Sequence, residues 1–316
     1  MSFEFDCVLC GSCVADILVR PVSLTMPIGP GRLFAAEPLE VCTGGIVCNA
    51  GIALTRLGMK AAAFSYVGVD EWGAMIRRRL EAAGMDCSHL FTRQDGATST
   101  TAVLIDPSGE RSFAHCVGAP RLLEKSVFLE NLAFFARARM MLIGYYSLMP
   151  NLETDLAEVL AAIRRQGCRT ALDAAGDGGT MEPLRHILPH LDVYVPSREE
   201  AQHQTGLSDP RAIIDCYRSC GTEALLGVKL GARGALLSPA AGQYVEIPPV
   251  TPPGPVVDTT GAGDCFLAGL LTGLLKGLDV FRAGRLAAAA GACCVTGYGA
   301  TAGVRDYPET AALAGL

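Results

Sequence analysis

Asp258-Thr259-Thr260-Gly261-Ala262-Gly263-Asp264-Cys265-Phe266 sets two glycines, an alanine and a carboxylate at the head of an apolar run from Cys265 to Leu275. That run reads as a helix. A helix N-terminus carries free N–H donors and about half a positive charge. Bare backbone at Gly261, Ala262 and Gly263 would therefore make an anion site. A carboxylate beside it suits transfer of a phosphoryl group onto a hydroxyl: the N–H groups hold the developing charge and Asp264 takes the hydroxyl proton. A Gly-rich turn with an Asp at the helix start is the competing explanation.

The familiar phosphate loops are missing: there is neither G-x-x-x-x-G-K-[ST] nor a G-x-G-x-x-G after the first strand. Instead, Gly44-Gly45 and Asn49 precede a helix ending Arg56-Leu57-Gly58, and Val67-Gly68-Val69-Asp70 with Gly73 follows. Cys7, Cys10 and Cys13 resemble part of an iron–sulfur pattern without its fourth ligand. A spacing of three puts successive cysteines on opposite faces of a strand, so they read as buried thiols, as do Cys293 and Cys294. His186 and His190 are separated by Pro189, which argues against a helical metal pair.

The chain has 316 residues, half of them hydrophobic and 18% charged, so a large core can be buried and disorder is not expected. Net charge is −6 with no basic block, which argues against a nucleic-acid partner. No apolar run reaches ~18 residues, so no membrane span is expected. The 13 cysteines, with no positive segment at Met1-Ser2-Phe3 to suggest export, imply a reducing cytoplasm.

Strands alternating with helices must position these residues, which points to a doubly wound, largely parallel α/β sheet. Strands are expected at 5–9, 61–67, 140–143, 170–172, 193–195 and 225–228. Helices are expected at 49–57, 74–83, 265–275 and 281–295, and through Leu152, Leu156, Val159, Leu160 and Ile163. Gly269, Gly273 and Gly277 line one helical face and would permit close packing. Residues 98–105 and 111–116 read instead as a hairpin around Asp106-Pro107-Ser108-Gly109. The stretch 14–42, with prolines at 21, 27, 30 and 38, is non-helical. Together they would form a small β-sheet, an edge decoration or a lid that excludes water during phosphoryl transfer.

The three elements at Gly44-Gly45, Val67–Gly73 and Asp258–Phe266, in this order, resemble the PfkB (ribokinase-like) family of sugar and nucleoside kinases, from Gly11 to about Val304. The resemblance implies one kinase domain over residues 1–316 with a β lid, acting on a hydroxyl with ATP and Mg²⁺. It makes Asp264 the general base and Gly261, Ala262 and Gly263 the anion hole. Asp16, Gly44, Gly45 and Asn49 become substrate ligands, since a carboxylate can accept two bonds from a vicinal diol. Val228 to Gly234 resembles the nucleotide-side strand and turn, which puts Lys229, Gly231, Gly234 and Thr259 near ATP. Glu200 would organise Mg²⁺ through water. Ser197 stands where the family often has Asn, so that environment is expected to be altered. Several members need a monovalent cation, K⁺ in particular, for which Asp258 and carbonyls around Gly299 are the candidates. The expected acceptor is a small sugar or sugar acid of the ribose, fructose or 2-keto-3-deoxygluconate type. Few aromatics near the lid (Phe34, Phe113) favour a sugar over a nucleoside, and Arg111 and His115 suit a sugar acid's carboxylate. A nucleoside kinase and a catalytically inactive binding protein on the same scaffold are the alternatives. Val103, Ile105 and Phe113 suggest a homodimer through the lid.

Overall fold

In the computed structural model, residues 3–26, 29–31, 33–174 and 178–316 are described. Met1, Ser2 and Pro27, used in the sequence reading, lie outside the described residues. Thirteen strands are described: β1 (Phe5–Gly11), β2 (Val14–Val19), β3 (Glu40–Gly44), β4 (Ala61–Gly68), β5 (Asp86–Arg93), β6 (Ser99–Ile105), β7 (Arg111–Cys116), β8 (Ala138–Gly144), β9 (Arg169–Asp173), β10 (Val193–Tyr194), β11 (Leu225–Lys229), β12 (Ala235–Ser238) and β13 (Val245–Ile247). β1 and β4 are apolar on both faces, as central parallel strands must be when helices cover them. The large sheet runs β13-β12-β11-β10-β9-β8-β1-β4-β5, parallel except at its β11-β12-β13 edge. This is the doubly wound fold that the alternation implied.

β5 was not foreseen. It pairs in parallel with β4 at the other edge of the sheet. Ser88 and Thr92 are exposed and His89 stacks on Phe134, so polar residues interrupt the apolar signal of this edge strand. The helix expected through Leu152 and Leu156 is two pieces, Pro150–Glu153 and Leu156–Arg165, with all five apolar residues buried. Cys7 and Cys13 pack into the core on one side of the sheet and Cys10 into the core on the other.

Two helix starts matter for the site. One helix is Gly45–Arg56, so Asn49 sits inside it and not at its cap. Another is Ala262–Leu275, three residues longer at its N-terminus than expected. It packs on the helix Val280–Cys294, where a Cβ on Gly269 or Gly273 would press into Ala283, Ala287 and Ala290. Gly277 does not share this face. It terminates the helix with φ 81 and open space around it.

The small sheet runs β3-β2-β6-β7. β2 pairs antiparallel with β3 and parallel with β6, and β6 and β7 form the hairpin. β6 alternates buried and half-buried residues along its length. Val103 and Ile105 point inward onto Leu18, so they offer no free face to a second subunit; of the three residues expected to pair, only Phe113 is exposed, at 60%. Among the described residues no helix is long and apolar enough to cross a membrane.

Candidate active site

Open α/β sheets bind ligands outside the carboxyl ends of their strands, where the strand order reverses. Here the chain leaves β1 toward β4 and β5, then returns to β8 on its other side. At that switch point a cavity of about 1040 Å³ opens, with the small sheet as one wall. The candidate residues from the sequence line this cavity except Arg111 and Gly44, and Gly44 stands directly behind Asp16.

Asp264 is the third residue of the helix Ala262–Leu275, and Gly261 is its N-cap with φ 76. First-turn N–H groups at Gly263 and Asp264 have no intrahelical acceptor. The Ala262 N–H is partly engaged, closing a turn onto Thr259 O at 3.3 Å. Asp264 is 5% exposed. Asn49 donates from Nδ2 to its Oδ2 at 2.8 Å, and the Tyr145 hydroxyl donates to its Oδ2 at 3.3 Å. Burial first, then repulsion from Asp173, pushes the Asp264 carboxyl up to about 7, against the pull of Asn49, Lys229 and Tyr145.

On one side of Asp264 stand Asp16, Thr101 and His115 from the small sheet. Burial pushes the Asp16 carboxyl up, the Thr101 hydroxyl partly offsets this, and Asp258 adds to the rise. A Cβ on Gly44 would collide with the Asp16 carboxylate, and one on Gly45 with Ser12 O. Both positions therefore demand glycine for close approach, Gly45 also for its φ of +78. Asn49 Oδ1 is buried with no hydrogen-bond partner. A buried orphan acceptor costs about 1–3 kcal/mol unless a ligand hydroxyl satisfies it.

On the other side, Lys229 ends β11 and donates from Nζ to Asp173 Oδ1 at 3.0 Å. Its Nζ lies 3.1 Å from where a Gly263 Cβ would stand, which places the ammonium at the helix head. Burial pulls that ammonium down, but Asp173 and Glu200 outweigh it and hold it above an ordinary lysine. Ser197 caps the helix Arg198–Thr205: its Oγ accepts from the Glu200 N–H at 3.2 Å, and Glu200 Oε2 accepts from the Ser197 N–H at 2.7 Å. The serine is thus turned into a capping box, and Glu200 keeps one carboxylate oxygen for other partners. Burial raises the Glu200 carboxyl; Lys229 opposes this and Asp173 reinforces it. A hydrated divalent cation beside Asp173 and Glu200 would suit two crowded carboxylates. Gly231 and Gly234 frame the turn after β11, and Thr259 stands exposed on the rim. Beyond them Val250, Pro252, Val256, Ala288, Ala292 and Val295 line an apolar slot of the cavity.

Asp258 is engaged by protein donors. Its Oδ1 accepts from Arg111 Nη2 at 2.5 Å and from the Thr260 N–H at 2.7 Å, and its Oδ2 accepts from the Gly299 N–H at 2.8 Å. Nearby carbonyls also take part in hydrogen bonds. Thr260 O accepts from the Cys294 thiol at 3.4 Å, Ala300 O from the Cys294 and Cys265 thiols, and Thr301 O from Arg56. Of the two residues expected to meet a sugar acid's carboxylate, His115 lines the cavity and Arg111 does not.

Sequence reading missed Asp173, Tyr145 and the Arg111–Asp258 pair. Asp173 and Tyr145 stand at the carboxyl ends of β9 and β8, and that position is the signal that could have found them. Tyr145 also holds a left-handed φ of 64, a strained conformation for a non-glycine residue.

The pfkB family carbohydrate kinase profile matches residues 6–306. The chain is 28% identical to a ribokinase of Haemophilus influenzae over 314 residues, 95% of each chain. It is 30% identical to a fructokinase of Klebsiella pneumoniae over 275 residues, 84% of this chain and 82% of that one. The structure of Arabidopsis thaliana ribokinase complexed with ribose and ATP superposes with a TM-score of 0.83 at 22% identity, over 100% of both chains.

Proposed function

The chain belongs to the pfkB family of carbohydrate kinases, and from that premise we propose that it transfers the γ-phosphoryl group of ATP to a hydroxyl of a small sugar or sugar acid. The observation that carries this reading is the buried Asp264 carboxylate, set at a helix head beside Lys229 and across one cavity from Asp16.

Asp16 accepts a pair of sugar hydroxyls, and the orphaned Asn49 Oδ1 accepts a third. The small sheet acts as the lid that keeps water out. The nucleotide base lies in the apolar slot, with the phosphates running past Gly231 and Thr259 toward Lys229 and the first-turn N–H groups. Bound Mg²⁺ would neutralise charge on the terminal phosphates, its water held by Asp173 and Glu200. Asp264 accepts the proton of the attacking hydroxyl, and the N–H groups of Gly263 and Asp264 hold the charge that develops on the transferring group. Positioning and electrostatics supply most of the acceleration, as is general for phosphoryl transfer.

The ionised Asp264 is the reactive form, and its fraction falls as pH drops through its raised value of about 7. Below that value, kcat/KM of the free enzyme is expected to fall by about tenfold per pH unit. An acid limb near pH 4 would contradict the environment assigned to this carboxylate. Gly44→Ala pushes the Asp16 carboxylate aside and is expected to raise KM for the sugar by about tenfold or more, with kcat changed less. An unchanged KM in steady-state kinetics would remove Asp16 from the sugar site.

A thermal-shift panel tests the substrate class. Ribose, fructose, 2-keto-3-deoxygluconate and several nucleosides are each added with a non-hydrolysable ATP analogue and Mg²⁺. A ligand at about 100 times its Kd adds about 2.7 kcal/mol to the folded state, which a melting curve resolves. A sugar is expected to shift the melt. A shift with nucleosides alone would replace the sugar reading with a nucleoside kinase, and no response to any nucleotide or acceptor would favour an inactive scaffold.

A further inference from the structure

The Arg111–Asp258 pair joins the small sheet to the loop that carries the helix head. Arg111 stands on β7, and its guanidinium is 14% exposed against 1% for the Asp258 side chain. Asp258 passes the connection on, because its carboxylate accepts from the N–H groups of Thr260 and Gly299. Those two segments meet at the helix N-cap, where a Cβ on Gly261 would collide with Ala300. A second contact runs parallel to the first: the Arg20 guanidinium, beyond the end of β2, lies 4.1 Å from the centre of the Tyr298 ring. The small sheet thus grips both halves of the loop that frames the helix head.

The charge at this place has a consequence for the chemistry. An unpaired, buried carboxylate close to the helix head would repel an incoming phosphate and be costly in itself. The Thr260 and Gly299 N–H groups offset part of that cost, and a cation beside the carboxylate offsets more. Two of the flanking carbonyls, Thr260 O and Ala300 O, already face thiol donors, and a guanidinium is in place on Asp258 at 2.5 Å.

We infer that Arg111 is a positioning residue that takes over the work of a monovalent cation: delivered by the lid, its guanidinium neutralises Asp258 and sets the anion-hole loop, so that the kinase runs without potassium. This rests on the kinase reading above. Lid placement and helix-head geometry become one event, because the neutralising charge travels on the lid.

The test has two arms. The first needs no acceptor: the melting temperature of the wild-type protein is compared in potassium chloride and tetramethylammonium chloride at equal ionic strength. Equal melting is expected. Stabilisation specific to potassium would mean that the ion has a site of its own and would overturn the inference, whether or not a sugar substrate is ever found. The second arm is turnover on a sugar accepted in the panel. Wild-type turnover is expected to agree within about twofold between the two salts, and Arg111→Met is expected to lose at least ~10-fold. Added guanidinium chloride, at concentrations far below denaturing, is expected to restore part of that loss in Arg111→Met, and Arg111→Lys to retain more activity than Arg111→Met. A purely structural role would not give rescue by the free ion. Potassium activation of the wild type, or full turnover in Arg111→Met, would overturn the inference.

Discussion

Asp264→Asn is expected to lose at least ~100-fold in turnover while sugar and nucleotide binding survive within a few-fold. The substitution keeps the shape of the side chain and an oxygen that can accept from Asn49 or Tyr145, but it removes the group that takes the proton. The folded protein is not expected to suffer. Burial and Asp173 raise this carboxyl to about 7, above its unfolded value near 4. A raised carboxyl contributes stability below its unfolded pKa and loses that contribution as pH rises through the folded value. The asparagine carries no such dependence, so the melting temperature of the variant is expected to gain on the wild type between pH 5 and pH 8. Calorimetric binding of the ATP analogue together with initial-rate turnover would check both halves. Turnover within a few-fold of the wild type would remove Asp264 as the base.

Gly261→Ala is the second large effect. The N-cap has φ 76, and an added Cβ would strike Ala300. Either the helix head or the Ala300 segment must shift, and the donors for the transferring phosphoryl group shift with it. Removing one preorganised donor of this kind typically costs about 10²–10³ in kcat. Backbone strain alone costs about 1–2 kcal/mol. Gly167→Ala separates the two effects, because Gly167 has φ +85 with open space around it. A modest drop in melting temperature is expected for both variants, and loss of turnover for Gly261→Ala only. Equal turnover in the two would mean that the helix head does not hold the phosphoryl group.

The helix head was legible because its signal is local: Gly261 to Asp264 are consecutive, and the apolar run follows at once. The start of the helix was misjudged by three residues, since Ala262 and Gly263 carry no apolar periodicity. The parallel order of the large sheet was legible from the alternation, whereas β5 was not, because polar residues interrupt its apolar signal. What surrounds Asp264 was invisible. Its hydrogen-bond partners lie 215 residues away at Asn49 and 119 away at Tyr145, brought together only by the switch in strand order. Asn49 was noticed for its proximity to Gly44-Gly45, without any sign that it touches Asp264. The partner of Asp258 was invisible for the same reason: the hairpin residue Arg111 that pairs with one of its oxygens is far away along the chain.

The most direct test of the central claim is a transfer assay with γ-labelled ATP and Mg²⁺ in the presence of each sugar of the panel, run on the wild type and on Asp264→Asn. The account predicts label on a sugar with the wild type, and none above background with a variant that still binds the ATP analogue. No labelled sugar from the wild type with any acceptor, or equal labelling by the two proteins, would contradict it.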